Sequence, residues 1–187
     1  MREAITHITD HNGTSIMFMS PDIGSDTASE AFVSFQNSDQ ITGYLHKPEW
    51  TTFGNYTIER GYNDVMKIFS NEEDRPDAIV CASDEIAVGA LMALQELDIA
   101  VPDDVKVIGF GDSPLAAAYR PSITSLKPLY ESIAEEALLL IELKRTGRRH
   151  LPAHTASPPP SGRSQRIDFF ATHRHQRHGR SSLTRLG

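Results

Sequence analysis

A single cysteine among 187 residues rules out an intramolecular disulfide framework, and Cys81 falls inside an apolar run, so its expected role is a buried thiol in a reducing compartment. No apolar run approaches the ~20 residues that a membrane span requires, and MREAITHITD lacks the apolar segment of a secretory signal. The expected location is cytoplasmic, with no membrane partner. Basic charge is scarce through most of the chain: residues 1–143 carry 8 basic and 24 acidic groups, a net −16, whereas residues 144–187 carry 10 and 1, a net +9. An acidic body repels phosphate backbones, so the larger region is not expected to bind DNA unaided. Also missing are a phosphate loop, a GxGxxG turn after a strand, and a Ser, His and acid set at motif spacing, which argues against an enzyme. His173, His175 and His178 sit in a basic stretch rich in Pro, Ser and Arg and are not read as a metal tract, so no metal or cofactor is expected.

What the chain does contain is a strand, helix and strand between Arg75 and Leu126. Ala78–Cys81 is a short Ile- and Val-rich run of the kind covered on both faces of a sheet. Ser83 and Asp84 are good N-cap types, and Ile86, Ala87, Ala90, Leu91, Leu94 and Leu97 recur at helical spacing. Residues 101–104 form a proline turn, and Val105–Phe110 is a second buried strand. Such a βαβ unit sets its strands parallel, and ligands of open α/β sheets collect beyond their carboxyl ends. Ser83, Asp84, Gly111 and Asp112 fall at those ends.

The flanking chain extends the α/β pattern. Arg2–Asp10 reads as a helix with Ala4, Ile5 and Ile8 on one face, closed by His11, Asn12 and Gly13 in a left-handed cap. Strands are expected at Ile16–Met19 and Ile41–Leu45, and helices at Ala28–Phe35, Gly61–Phe69 and Ser132–Arg145, the last closed by Gly147. Residues 21–26 and 48–56 are read as loops, and residues 120–126 as extended. Past about residue 150 periodicity is lost, and the basic tail is expected to be disordered.

RPDAIVCASDEIAVGA, VPDDVKVIGFGDSP and YRPSITSL, with GNYTIERGYNDVM upstream, resemble the effector-binding domain of the lac-repressor and galactose-repressor (LacI/GalR) family of bacterial transcription regulators. The resemblance covers residues 2 to about 146. It implies one lobe of a type I periplasmic-binding-protein-like fold: an α/β parallel sheet with helices on both faces over residues 1–126, a crossover and helix at 127–149 that would pack on a second lobe, and the disordered tail at 150–187. It further implies that the chain is a truncated piece without the helix-turn-helix headpiece and amino-terminal lobe, so that DNA is a partner only through the parent's headpiece. The implied ligand is a sugar or nucleobase-like small molecule, bound weakly by an isolated lobe.

By the same resemblance the effector-binding positions are Tyr56, Ser83, Asp84, Gly111 and Asp112. Tyr56 matches the cleft aromatic; the alternative is a ring packed over a strand end. Ser83 stands where many relatives have asparagine, and Asp84 reads equally as a helix cap. Gly111 replaces an acid that many relatives carry, leaving Asp112 as the nearest carboxylate, which could instead cap the turn starting at Ser113. Ala31 occupies the place of a ligand-binding arginine. Family dimers use the surface around the helix Ile86–Leu97 and the segment Leu115–Tyr119, so Ile86, Leu115 and Tyr119 are candidate homodimer contacts, with packing inside the lobe as the alternative. The exposed apolar stripe of the Ser132–Arg145 helix predicts oligomerisation or low solubility. A periplasmic sugar-binding protein shares the architecture, and the missing export signal argues against it.

Overall fold

A computed structural model describes residues 1–22, 32–37 and 43–146. Its elements run α1 (Arg2–Asp10), β1 (Ile16–Pro21), α2 (32–37), a 3-10 turn (Pro48–Trp50), β2 (Thr51–Gly54), α3 (Ile58–Phe69), β3 (Ala78–Cys81), α4 (Asp84–Glu96), β4 (Lys106–Phe110), α5 (Pro114–Ala118), β5 (Thr124–Leu126) and α6 (Tyr130–Arg145). All strand pairs are parallel, and the sheet order is β2-β1-β3-β4-β5.

The alternation of side chains along the strands divides the core in two. Met17, Met19, Ile79, Cys81 and Val107 face α3 and α4, while Ile16, Phe18, Val80 and Ile108 face α1 and Phe35 of α2. Phe18 and Phe35 stack at 4.6 Å between ring centroids. Burial pushes the Cys81 thiol far above its ordinary range, which leaves it a packing residue. At the amino edge the Asp77 carboxylate accepts from the Thr14 N–H and hydroxyl and from the Ser15 N–H, tying the entry of β1 to that of β3.

On one face α3 and α4 approach until backbone meets backbone. A Cβ added at Gly61 would lie 2.2 Å from the Ile86 carbonyl oxygen, and one at Gly89 would lie 2.0 Å from that of Ile58. Tyr62 of α3 donates a 2.7 Å hydrogen bond to Glu96 of α4, and this bond raises the phenol's pKa.

The strand expected at Ile41–Leu45 is corrected. Residues 41–42 lie outside the described residues, and Leu45 makes only an isolated bridge to Ser15. The edge strand is instead Thr51–Gly54, read from sequence as loop, whose parallel register with Phe18–Pro21 is set across the sheet rather than by its own pattern. Helix α3 starts three residues before Gly61, because the Thr57 hydroxyl caps it by accepting from the Arg60 N–H. The expected helix at Ala28–Phe35 is described only from residue 32; Ala31, Gly147 and the tail at 150–187 lie outside the described residues.

Helix α6 forms as expected, with Lys144 and Arg145 in its last turn, and none of its residues is buried.

Candidate functional site

A parallel sheet of order 2-1-3-4-5 reverses its winding between β1 and β3. The connections leaving those two strands go to opposite faces, opening a crevice at their carboxyl ends. The predicted site residues are distributed along that edge.

At the end of β2 the turn carrying Tyr56 is built by Arg60. Its guanidinium donates to the carbonyls of Gly54 (3.1 Å) and Asn55 (3.2 Å) and to the Thr52 hydroxyl (3.1 Å), while its Nε meets Asp64 at 3.1 Å. The cation is thereby engaged within the lobe, and Tyr56 stands 50% exposed beside it.

At the end of β3 the Ser83 hydroxyl caps α4 by accepting from the Ile86 N–H at 3.3 Å. Asp84 is 1% exposed and reaches across to β4 and β5. Its Oδ1 accepts from the Ser125 hydroxyl at 2.6 Å and its Oδ2 from the Ser113 N–H at 2.7 Å. Gly109 leaves the space for this carboxylate, since a Cβ there would lie 2.3 Å from Oδ1. The Ser125 hydroxyl in turn accepts from the Asp112 N–H at 2.9 Å. One buried carboxylate thus shapes the loop after β4, where Gly111 (φ 126°) and Asp112 (φ 51°) both take left-handed backbone.

Asp112 does not cap the following helix, because the Ser113 N–H is already bonded to Asp84 and α5 has no side-chain cap. Its carboxylate points outward, 3.5 Å from the Lys127 Nζ. Tyr130, the first residue of α6, donates to the Gly111 carbonyl at 3.3 Å. Two buried hydroxyls at this edge, Ser20 Oγ at the end of β1 and Ser113 Oγ after β4, have no hydrogen-bond partner among the described residues.

Ser83, Asp84, Gly111 and Asp112 therefore occupy neighbouring strand ends, and Tyr56 flanks β1 from the other side. Sequence reasoning missed Ser20, Arg60, Gly109, Ser113 and Ser125. Ser20 had a signal as the polar residue closing an otherwise apolar strand, and Gly109 as a lone glycine within one.

The candidate dimer contact at Ile86 is corrected. Its side chain is fully buried in the core cluster that α4 shares with the sheet and α3, so a partner chain cannot touch it. Leu115 and Tyr119 are half-buried against the same core, while Ala117 and Ala118 are exposed. Among the described residues no group of His, Cys, Asp and Glu is arranged to hold a metal ion, and no helix is long and apolar enough to cross a membrane.

Comparison with known proteins agrees with this fold. The family model for the periplasmic binding protein-like domain matches residues 5–164. The HTH-type transcriptional regulator GalR of Streptococcus thermophilus is 32% identical over 111 residues, covering 59% of this chain and 34% of that protein. The HTH-type transcriptional repressor PurR of Mannheimia succiniciproducens is 29% identical over 135 residues, covering 72% and 40%. The chain thus spans well under half the length of these relatives. Among solved structures, a LacI-family regulatory protein from Chloroflexus aggregans superposes with a TM-score of 0.73 at 21% identity, covering 79% of this chain and 53% of that one. A LacI-family regulator from Lactobacillus casei, with bound glucose, superposes at 0.67 and 27% identity, covering 80% and 56%.

Proposed function

This chain belongs to the family of periplasmic binding protein-like domains, and from that premise we propose that it is the effector-sensing lobe of a LacI-type transcription regulator, without enzymatic activity. The observation that supports this reading is the carboxyl edge of the 2-1-3-4-5 sheet, where Gly111 and Asp112 lie in a loop held by Asp84 and Tyr56 stands after β2 on the other side of β1 and β3. Tyr56 offers a ring face for stacking, and Asp112 an exposed carboxylate. Asp84 and Ser83 act as positioning residues, because their oxygens already accept hydrogen bonds inside the lobe.

In this reading the effector is a small metabolite of the sugar or nucleobase kind, the regulator works in the cytoplasm, and DNA is contacted by another part of it, since the acidic lobe repels phosphate. An effector shifts DNA affinity only by binding one arrangement of the regulator better than the other. Amide chemical shifts of the full chain, titrated with sugars, nucleobases and simple aromatic acids, test the proposal. Perturbations are expected at Tyr56, Gly111 and Asp112, weakened several-fold by Tyr56→Ala. Silence across all three classes, or perturbations confined to the amino edge around Asp77, would refute it.

A second reading, self-association, is favoured by α6, where Ile133, Leu138, Leu140 and Ile141 are each half or more exposed. Light scattering behind size exclusion is expected to show a mass that rises with concentration, and the pair Leu138→Glu and Ile141→Glu to return it to the monomer value with unchanged circular dichroism. A monomer at high concentration in the unaltered chain would remove this reading.

A further inference from the structure

Helix α6 presents two chemically different faces, and no described residue covers either of them. Its first residue, Tyr130, bonds to the Gly111 carbonyl, yet none of its residues is buried. At helical spacing Ile133, Ala137, Leu140 and Ile141 share one face, and the three large side chains among them are half or more exposed. Glu131, Glu135 and Glu142 follow one another at i, i+4 and i+11 along the adjoining face, where Arg145 meets Glu142 at 3.9 Å. An apolar stripe bordered by carboxylates suits an occupant with large apolar side chains and positive charge.

The chain's own continuation has both. Beyond α6 the large apolar side chains are Leu151, Ile167, Phe169, Phe170, Leu183 and Leu186, and three of these six fall within four residues. In an extended path Ile167 and Phe169 point the same way, and in a helical path Ile167 and Phe170 do, so either offers a pair of anchors. Arg163 and Arg166 precede this segment, and Arg174 and Arg177 follow it. Residues 144–187 carry a net +9 against −16 for residues 1–143, so the segment is drawn towards the glutamates of α6. A second copy of α6 would instead bring its own Glu131 and Glu135 to the same place.

Reach is sufficient. The 21 residues from Thr146 to Arg166 span about 25 Å as a coil and about 70 Å drawn out. The 16-residue helix is about 24 Å long. A tether on that scale gives an effective concentration on the order of 1 mM, well above that of a second copy in dilute solution.

We propose that residues 167–170 fold back on α6 of the same chain, seating Ile167 and a phenylalanine on the face of Ile133, Ala137, Leu140 and Ile141, with the neighbouring arginines beside Glu131 and Glu135. The segment is then an internal cover. It competes with a second copy, or with a second lobe, for the same face, and holds back self-association until concentration rises. The effector-sensing reading is independent of it.

Paramagnetic broadening measured on the full chain tests this. Ser164→Cys places a thiol three residues before Ile167, and a nitroxide label goes to that thiol because Cys81 is buried. In dilute solution the amide signals of Ile133, Ala137, Leu140 and Ile141 are expected to lose most of their intensity, while those of β1 and β3 keep theirs. Adding Phe169→Asp and Phe170→Asp should restore the lost signals with unchanged circular dichroism. Ile133→Glu in α6, at a position 59% exposed, should do the same from the other side of the contact. A mixture of labelled chain and isotope-enriched unlabelled chain should stay silent. Broadening as strong in the mixture assigns the face to a second copy, and full intensity in the labelled chain leaves it to another partner; either result overturns the proposal. Broadening that survives all three substitutions overturns the assigned contact.

Discussion

Gly89→Ala is expected to lower the stability of the chain by about 3 kcal/mol, roughly 10 °C in melting temperature, although alanine is the better helix former. In an exposed helix the substitution would gain close to 1 kcal/mol. Here the new methyl carbon would lie 2.0 Å from the Ile58 carbonyl oxygen and 2.7 Å from the Tyr62 nitrogen, both backbone atoms of α3. No side chain can rotate away, so α3 and α4 must separate along their whole crossing, loosening Val65, Phe69, Ala90 and Leu94 together. Overpacking therefore outweighs propensity. Gly61→Ala, which meets the Ile86 carbonyl at 2.2 Å, should behave alike. The double variant should lose less than the sum, because a gap opened for one methyl accommodates the other. Urea melts followed by circular dichroism check this, and a midpoint equal to or above that of the unaltered chain would refute the close crossing.

The second large effect is expected at Asp84. Replacing it by alanine strands the Ser113 N–H and removes the acceptor of the Ser125 hydroxyl, both currently bonded to a buried carboxylate at 2.7 and 2.6 Å. Losing two bonds to a charged group, with a buried donor left unpaired, costs about 4 kcal/mol. Asp84→Asn keeps the shape and one carbonyl acceptor, and Ser125 can accept from the amide, so its cost should be nearer 1–2 kcal/mol. Hydrogen exchange separates this from general destabilisation: the amides of Asp112 and Ser113 should lose protection first, while those of β1 keep theirs. Equal costs for the alanine and asparagine variants, or unchanged exchange at Ser113, would remove Asp84 from the role of loop organiser.

The same residue shows how far the sequence could be read. Ser83 and Asp84 looked like the start of a helix, and they are: Ser83 caps α4 and Asp84 opens its first turn. Those roles involve neighbours within three residues. The partners that make Asp84 important lie 29 and 41 residues further on, and no local pattern ties position 84 to Ser113 and Ser125. Ile86 failed for a related reason. Helical spacing identified an apolar stripe correctly, but a helix in an α/β layer is apolar around much of its circumference, and only the packed neighbour distinguishes the side that meets α3 from a side available to another chain. The missed strand at Thr51–Gly54 is four residues long and lies at the sheet edge, where pairing with β1 rather than an internal pattern makes it a strand.

Periodicity, caps and charge, all readable within short windows, determined the α/β class, the βαβ unit at its centre, the exposed apolar helix near residue 140 and the acidity of residues 1–143. Tertiary structure alone decided which further residues join Ser83, Asp84, Gly111 and Asp112 at the carboxyl edge. The order β2-β1-β3-β4-β5 brings Ser20, Ser113 and Ser125 to that edge although they are far apart in the chain, because strand register is settled by burying the whole sheet at once and not by any single strand's own residues.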